Sequence, residues 1–401
     1  MRGFTRLSAA VPACAVTDFD KNRQNTLDLW EEAHRQGSSV VIFPELGLCG
    51  YTSRDLLHDG HLQDACLDSL AWLMDRGREL RPLAVVGLPF RHGSQLYNMA
   101  AAIQGGRLLA MVPKSYLPST REFEEARWFR PGREIPAGAE ARVLDQSVPL
   151  GTDILLEAAD QPDLVLGLEI CEDLWVPVQP SALAVAAGAT VIGNLSASNF
   201  TIGKAELRRR LARASSDRGI CGYIYVAAGP GESSTDLAFD ADAFICENGQ
   251  VMAQSQRFLR KDQLVTAEID LDLLIHERQV TSSFGACAGQ HQTPYRRVPF
   301  MSGGEPRCLR QRHITPHPFL PRDPDTLSTR CWETFEIQTN ALVTRMTAAN
   351  TRHLVLGVSG GLDSTHAALV AAVALDMMGL PRENLICLTM PGLGTSEQTR
   401  G

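Results

Sequence analysis

Short apolar runs alternate with stretches of helical periodicity from residue 1 to about residue 275 of the 401-residue chain. Residues 22–36 place apolar side chains on one helical face and lead directly into the β-branched run 40–43. Farther along, runs 97–103 and 108–112 flank a Gly-Gly turn, which predicts a β-hairpin. This mixture of strand–helix–strand units and hairpins favours an α/β sandwich over a purely parallel barrel.

The alternation stops near residue 280 and resumes after residue 325. The segment between is rich in proline, contains Gly303-Gly304 and has few apolar runs, which is typical of a linker. A predicted helix over 326–349 then leads into a strand, a glycine loop, a second helix and another strand. We therefore predict one domain over 1–278, a linker over 279–325 and the first part of a second, doubly wound domain over 326–401.

Charge and composition exclude several classes of protein. A net charge of −8 argues against a nucleic-acid partner, and no apolar run reaches the roughly 20 residues that a membrane helix needs. The ten cysteines are scattered without metal-ligand spacing, so we expect reduced thiols, no bound metal in this first domain and a cytoplasmic location. The one basic cluster, Arg208–Arg210 with Arg213, is interpreted as a solvated helix face or a subunit contact.

Three residues with chemically reactive side chains follow predicted strands. They are Glu45 in Phe-Pro-Glu, Lys114 in Val-Pro-Lys and Cys171 in Glu-Ile-Cys-Glu-Asp. A thiolate can attack an amide carbonyl, a buried carboxylate can move the proton, and an ammonium can stabilise the oxyanion. Each residue alone has an ordinary explanation as a surface ion pair, a solvated lysine or a packed thiol. Together, in this order, they predict an amidase.

The longer motifs around these residues resemble the nitrilase superfamily of carbon–nitrogen hydrolases. FPELGLCGY, KSYLPSTREFEEARWF and GLEICEDLWVP are similar to its glutamate, lysine and cysteine motifs. The resemblance implies an αββα four-layer sandwich with Glu45 as general base, Lys114 as oxyanion stabiliser and Cys171 as nucleophile. It also implies a supporting role for Glu125. The substrate pocket that it implies comprises Glu172, Thr120, Ser196 and Ser198, although Thr120 stands where related glutaminase domains often carry tyrosine.

A second motif, Ser359-Gly360-Gly361-Leu362-Asp363-Ser364, joins a predicted strand to a predicted helix. Glycines allow backbone N–H groups to approach a phosphate, and the helix start favours an anion. The loop lacks the Gly-Lys-Ser/Thr ending of a Walker A motif and resembles the SGGxDS loop of pyrophosphate-releasing ATP enzymes. These six residues are therefore predicted to bind ATP, with Asp363 at the helix start or directed toward Mg²⁺.

An amidase followed by such a loop resembles the glutamine-dependent NAD synthetase family. The resemblance implies glutamine, ATP and deamido-NAD as substrates, Mg²⁺ in the second half, no cofactor in the glutaminase half, and a homo-oligomer. Because the second domain holds about one strand–helix–strand unit, the chain is expected to support the glutaminase half alone. A stand-alone amidase of another small amide, a catalytically silent scaffold, and amidation or thiolation of a different substrate remain alternatives.

Overall fold

The computed structural model describes residues 3–390 except 292, 305 and 307. Its internal contacts divide the chain into two compact units, Met1–Arg312 and His313–Gly401.

The first unit contains two β-sheets. Its strands, in chain order, are β1 (Phe4–Val11), β2 (Val40–Ile42), β3 (Leu83–His92), β4 (Gln95–Gln104), β5 (Arg107–Pro113), β6 (Glu140–Val143), β7 (Gln146–Pro149), β8 (Ile154–Ala158), β9 (Val165–Ile170), β10 (Val191–Ser196), β11 (Gly222–Ala227), β12 (Ala243–Glu247), β13 (Gln250–Gln254), β14 (Gln263–Asp270) and β15 (Arg296–Phe300). One sheet has the order β14-β1-β2-β3-β4-β5, and the other β13-β12-β11-β10-β9-β8-β15. Strands β6 and β7 form a separate hairpin.

Helices cover the outer face of each sheet. The helices of this unit are α1 (Phe19–Gln36), α2 (Gly60–Arg76), α3 (Pro180–Ala186), α4 (Lys204–Gly219), α5 (Leu271–Val280) and α6 (Ser282–Gln290). Local sequence sets the limits of α1, because the Asp18 carboxylate accepts from the Lys21 N–H at its start and Gly37 adopts φ +76° at its end. Within the described residues, no helix is both long and apolar enough to cross a bilayer.

Three apolar cores define the layers. One lies between the sheets, a second between α1, α2 and the six-stranded sheet, and a third between α3, α4 and the seven-stranded sheet. Strand alternation explains this division, because Val40 and Ile42 enter the core between the sheets while Val41 enters the helix-side core. The predicted αββα sandwich is therefore confirmed.

The segment predicted as a linker contains regular structure. Helix α6 falls within it, and β15 pairs in parallel with β8 at the edge of the seven-stranded sheet. Arg296 of β15 explains part of this pairing, because its guanidinium binds Asp153 and the carbonyl groups of Ala139 and Leu150. The proline-rich composition of the segment thus concealed a strand that pairs with β8 over all five of its residues. The domain limits themselves remain a prediction.

The interpretation of the basic cluster as a solvated face is wrong for Arg208. Its side chain is fully buried, and Nη2 donates to Asp240 at 2.6 Å and to Asp242 at 2.9 Å. Two carboxylates from the chain that precedes β12 thus compensate a buried guanidinium. Arg210, by contrast, is exposed as predicted.

The second unit contains α7 (Pro324–Ala348), β16 (Leu354–Gly357), α8 (Leu362–Met377) and β17 (Leu385–Leu388). Strands β16 and β17 pair in parallel, and α8 connects them. This is the predicted strand–helix–strand unit. Residues 391–401, which the resemblance included in this domain, lie outside the described residues.

Candidate active site

The three predicted catalytic residues follow strands of two facing sheets. Glu45 lies shortly after β2, Lys114 directly follows β5, and Cys171 directly follows β9. The apolar residues at the ends of these strands share the core between the sheets. Packing of the sheets therefore brings residues that are up to 126 positions apart in the chain to one location.

Lys114 and Glu45 form a buried ion pair. Nζ of Lys114 donates to Oε1 of Glu45 over 2.6 Å, and neither side chain is exposed. The same oxygen accepts from Nδ2 of Asn98 at 2.7 Å, while Oε2 accepts from the backbone N–H of Ala197 at 2.8 Å. These three donors determine the orientation of the carboxylate. Sequence reasoning missed Asn98, for which the available signal is a polar residue within the apolar run of β4.

Glu125 lies on the other side of the lysine. Its Oε1 accepts from Lys114 Nζ at 2.6 Å and from the Tyr51 hydroxyl at 2.8 Å. Burial raises the pKa of Glu125 to about 7, although the Lys114 charge lowers it. Its Oε2 is buried and has no hydrogen-bond partner among the described residues, so one acceptor is left for a bound molecule.

Lys114 remains an ammonium in this environment. Burial disfavours the charged amine, but the carboxylates of Glu125 and Glu45 hold the pKa of Lys114 well above its usual value. A permanent cation is thus present beside the thiol, with its position fixed by two carboxylates.

Cys171 occupies a strained position at the junction of β9 and a 3₁₀ turn. Its φ is +47°, an uncommon conformation for a residue with a side chain, and it is 5% exposed. Burial, followed by the charge of Glu45, raises the pKa of the thiol, while Lys114 and a backbone hydrogen bond from Ala197 lower it. The resting group is therefore a thiol, which needs a base to become a nucleophile.

Asp173 connects the two loops that carry the lysine and the cysteine. Its carboxylate accepts from the N–H groups of Ile170 at 3.0 Å, Ser115 at 3.3 Å and Tyr116 at 2.9 Å. Burial raises the pKa of Asp173 to about 8, although these backbone donors lower it. The residue positions backbone on both sides of the site.

A cavity of about 350 Å³ lies beside this cluster. Tyr51, whose hydroxyl binds Glu125, lines it, and its rim carries both cationic and anionic side chains. The charged lining residues are Arg54, Arg121, Glu122, Glu124 and Asp236. Both signs of charge around one small opening suit a zwitterionic ligand such as an amino acid.

A second amine, which sequence reasoning also missed, lies at the start of α4. Lys204 Nζ lies 5.3 Å from the centre of the Phe123 ring and 5.5 Å from that of Trp175, and it donates to Asn199 Oδ1. Burial lowers the pKa of Lys204, whereas the Cys171 thiolate charge raises it, so this amine is within electrostatic range of Cys171. Its position at the start of a helix just after NLSASNF is the signal that could have found it.

The four predicted pocket residues have different surroundings. Glu172 is half-buried, and burial raises its pKa while Lys114 and Lys204 lower it. Thr120 is exposed, and Ser198 is buried. The Ser196 hydroxyl donates to Asn194 Oδ1 at 2.7 Å and is fully buried, so its proton is engaged within the protein.

The predicted phosphate loop lies between β16 and α8. Gly360 has φ +79°, the Ser359 N–H donates to Ser364 Oγ at 3.3 Å, and Ser364 Oγ donates to the Gly361 carbonyl at 3.0 Å. The Leu362 side chain is 84% exposed, and Asp363 lies in the first turn of α8. The serines therefore shape the loop, and the glycines leave its backbone open to a ligand.

The fold and this cluster define a carbon–nitrogen hydrolase. The family model for carbon-nitrogen hydrolases matches residues 8–279, and the chain belongs to that family. The family model for NAD synthase matches residues 335–400.

Curated relatives match the chain across both of these regions. The glutamine-dependent NAD(+) synthetase of Mycobacterium tuberculosis is 42% identical over 404 residues, which cover 99% of this chain and 59% of that protein. The synthetase of Mycobacterium leprae is 41% identical over 405 residues, with 100% and 59% covered. The predicted resemblance is thus confirmed, and the chain spans about 59% of the length of these curated relatives.

Solved structures support the fold. A glutamine-dependent NAD(+) synthetase from Cytophaga hutchinsonii gives a TM-score of 0.58 at 20% identity and covers 99% of this chain and 62% of that one. A mutant amidase from Nesterenkonia sp. AN1, whose active-site cysteine carries a covalent acetamide group, gives a TM-score of 0.53 at 20% identity and covers 70% and 96%.

Proposed function

We propose that the chain hydrolyses the side-chain amide of glutamine through a thioester on Cys171. The ammonia would serve the ATP-dependent amidation of deamido-NAD to NAD. The observation that carries the proposal is the buried cluster in which Lys114 bridges Glu45 and Glu125 at 2.6 Å each, beside a strained cysteine.

The first step is proton transfer from the Cys171 thiol to Glu45. The pKa of the thiol is raised by burial, so it does not ionise unaided, and a fixed carboxylate supplies the base. The thiolate then attacks the amide carbon, and the carbonyl oxygen becomes an oxyanion. Lys114 stabilises that charge in a site where water is excluded.

The second step releases ammonia. Glu45 returns its proton to the nitrogen, the carbon–nitrogen bond breaks, and a glutamyl thioester remains on Cys171. Oε2 of Glu125, which has no hydrogen-bond partner in the described part of the chain, can accept from the amide nitrogen and direct it toward Glu45. A water molecule, deprotonated by Glu45, then attacks the thioester, which releases glutamate and restores the thiol.

Recognition of glutamine would use the charged rim of the cavity. Glu122 or Asp236 of the cavity lining is suited to the α-ammonium. Lys204, which lies next to the cavity at 5.3 Å from the centre of the Phe123 ring, is suited to the α-carboxylate. Glu172, Thr120 and the two serines remain candidates for the pocket on the ground of the family resemblance.

The second half of the reaction would use the loop 359–364. ATP would place a phosphate against the open backbone at Gly360-Gly361, while Ser359 and Ser364 hold the loop in shape. Asp363 would hold Mg²⁺ together with the phosphates, because Mg²⁺ in such sites takes one or two carboxylates and keeps several waters. The carboxylate of deamido-NAD would become an acyl adenylate with loss of pyrophosphate, and ammonia would displace AMP.

Ammonia release from glutamine, asparagine and a simple aliphatic amide tests the proposal, with and without ATP, Mg²⁺ and deamido-NAD. We expect glutamine to be preferred and an acid-quenched sample to carry a glutamyl adduct on Cys171 by mass spectrometry. Cys171→Ala should abolish both signals. Preference for another amide would instead indicate a stand-alone amidase, and the absence of any adduct or ammonia would overturn the assignment.

A further inference from the structure

Glu232 is a buried carboxylate on the loop 228–242, which connects β11 to β12 and lies outside the predicted catalytic set. Its Oε1 accepts from the Tyr51 N–H at 2.8 Å, and its Oε2 accepts from the Thr52 N–H at 3.0 Å and the Thr52 hydroxyl at 2.6 Å. The Cys14 thiol lies 3.7 Å from Oε1. Both oxygens are thus occupied by groups of two other segments.

This contact continues into the catalytic cluster. Tyr51, whose backbone Glu232 holds, donates its hydroxyl to Glu125 at 2.8 Å, and Glu125 accepts from Lys114 at 2.6 Å. A path of three hydrogen bonds, through Tyr51 and Glu125, therefore connects Glu232 with the Lys114 ammonium. Nothing in the sequence motifs pointed to Glu232, which lies 181 residues after Tyr51.

The loop that carries Glu232 is itself anchored at several points. The Ser233 N–H donates to the Thr52 hydroxyl at 2.9 Å, and Asp236 pairs with Arg54. At its other end, Asp240 and Asp242 bind the buried Arg208. Since the loop is held at both ends, it can impose a position on the segment that begins at Tyr51.

We infer that Glu232 is a positioning residue for the hydrolysis of the amide: it fixes the Tyr51 backbone so that the phenol holds Glu125 against Lys114. The inference rests on the proposed function. Glu232 does not touch the substrate in this account and acts through Tyr51.

The physical basis is the number of donors that Glu232 accepts. Two backbone N–H groups and one hydroxyl converge on its two oxygens, which a carboxylate satisfies with charge-assisted hydrogen bonds. A glutamine would present an amide N–H to one of these donors, and at least one bond would be lost. The Tyr51 segment would then shift, and a displacement of about 1 Å near the reacting groups can cost about 100-fold in rate.

A double-mutant cycle tests this inference with the full chain. Glu232→Gln and Tyr51→Phe are made singly and together, and kcat and KM for glutamine are measured from pH 5 to pH 9 with thermal unfolding. We expect each single variant to lower kcat, by up to about 100-fold. The double variant should be no slower than the slower single variant, because both act through one hydrogen bond.

The pH profile gives a second readout. The Tyr51 hydrogen bond lowers the pKa of Glu125, as does the Lys114 charge, while Glu45 raises it. Loss of the Tyr51 bond should move the acidic limb of kcat/KM to higher pH by the same amount in all three variants. A residue that served the fold alone would change the melting temperature and leave this limb in place.

Glu268→Gln is the matched control. Glu268 is also a buried carboxylate that accepts from two backbone N–H groups, those of Arg310 and Gln311, and it pairs with Arg6. We expect this variant to lose stability with kcat and the acidic limb unchanged.

The outcomes distinguish failure of the proposed function from failure of the positioning role of Glu232. Wild-type protein that releases no ammonia from glutamine overturns the proposed function. If the wild type is active, the positioning role is overturned when Glu232→Gln leaves kcat unchanged. It is also overturned when Glu232→Gln lowers kcat by the same factor in the Tyr51→Phe background as in the wild type. Should Glu232→Gln fail to fold, Thr52→Val, which removes one of the bonds to Glu232, is put through the same cycle and judged by the same criterion.

Discussion

Replacement of Lys114 by methionine removes the charge at the centre of the site while it keeps most of the side-chain volume. Lys114 is fully buried and its ammonium binds the carboxylates of Glu45 and Glu125, which fix its position. Loss of one oxyanion donor typically costs about 100- to 1000-fold in kcat, or about 2.7–4 kcal/mol of transition-state stabilisation. We expect an effect of that size for Lys114→Met.

The same change should lower stability in a pH-dependent way. Removal of one partner from a buried ion pair costs about 3–5 kcal/mol, because the other charge stays buried. The pKa of Glu125 is about 7 with Lys114 in place and rises further without it, against about 4.3 in an unfolded chain. A raised folded pKa means that stability is fully present below about 4.3 and is lost as the pH rises through the folded value. The variant should therefore lose more stability at pH 8 than at pH 5.

Single-turnover ammonia release and thermal unfolding at the two pH values measure these effects. Lys261, an exposed lysine outside the site, provides the control as Lys261→Met, which should change neither the rate nor the pH dependence of unfolding. A Lys114→Met protein that kept the wild-type rate would refute the assignment of Lys114 to the oxyanion. Equal destabilisation at pH 5 and pH 8 would refute the electrostatic reasoning about Glu125.

Three further changes test other parts of the structure. Gly87→Ala should lower kcat by about 100-fold, because a Cβ there would lie 2.4–2.9 Å from the backbone of residues 44–46 and would displace Glu45. Gly60→Ala, with open space around it, should be neutral in the same assay. Arg208→Met should cost up to about 3–5 kcal/mol in urea unfolding, because Asp240 and Asp242 lose their fully buried partner and keep only the half-buried Arg257 and Arg209. The exposed Arg210→Met should change stability by no more than about 0.5 kcal/mol. Asp363→Ala should spare ammonia release and thioester formation; loss of either in a folded protein would contradict the assignment of the two activities to separate domains.

The sequence predicted elements well where apolar periodicity is strong. The helix predicted over 22–36 is observed as Phe19–Gln36, and the hairpin predicted at the Gly-Gly turn is observed as Gln95–Gln104 and Arg107–Pro113. Strand β14, Gln263–Asp270, was not predicted. It carries Glu268, a charged residue that is buried because Arg6 of the neighbouring strand pairs with it at 2.7 Å.

The residues of the candidate site also fall into two groups, those proposed from sequence motifs and those recognised only in the structure. Glu45, Lys114, Glu125 and Cys171 were all found from motifs, and the structure brings the first three into direct contact with the thiol nearby. Asn98, Lys204, Tyr51 and Glu232 were not assigned roles. Their contacts with the site depend on partners distant in the chain, and a single polar residue in a strand or loop carries no periodic signal.

By itself the sequence determined the class of fold and the family motifs that contain Glu45, Lys114 and Cys171, because periodicity and short motifs are local properties. The tertiary structure alone decided which charges are buried and what orients them. Arg208 shows the difference: it belongs to a basic helical run, yet Asp240 and Asp242 compensate it inside the protein. Burial of a charge depends on partners that only the folded chain brings within hydrogen-bonding distance.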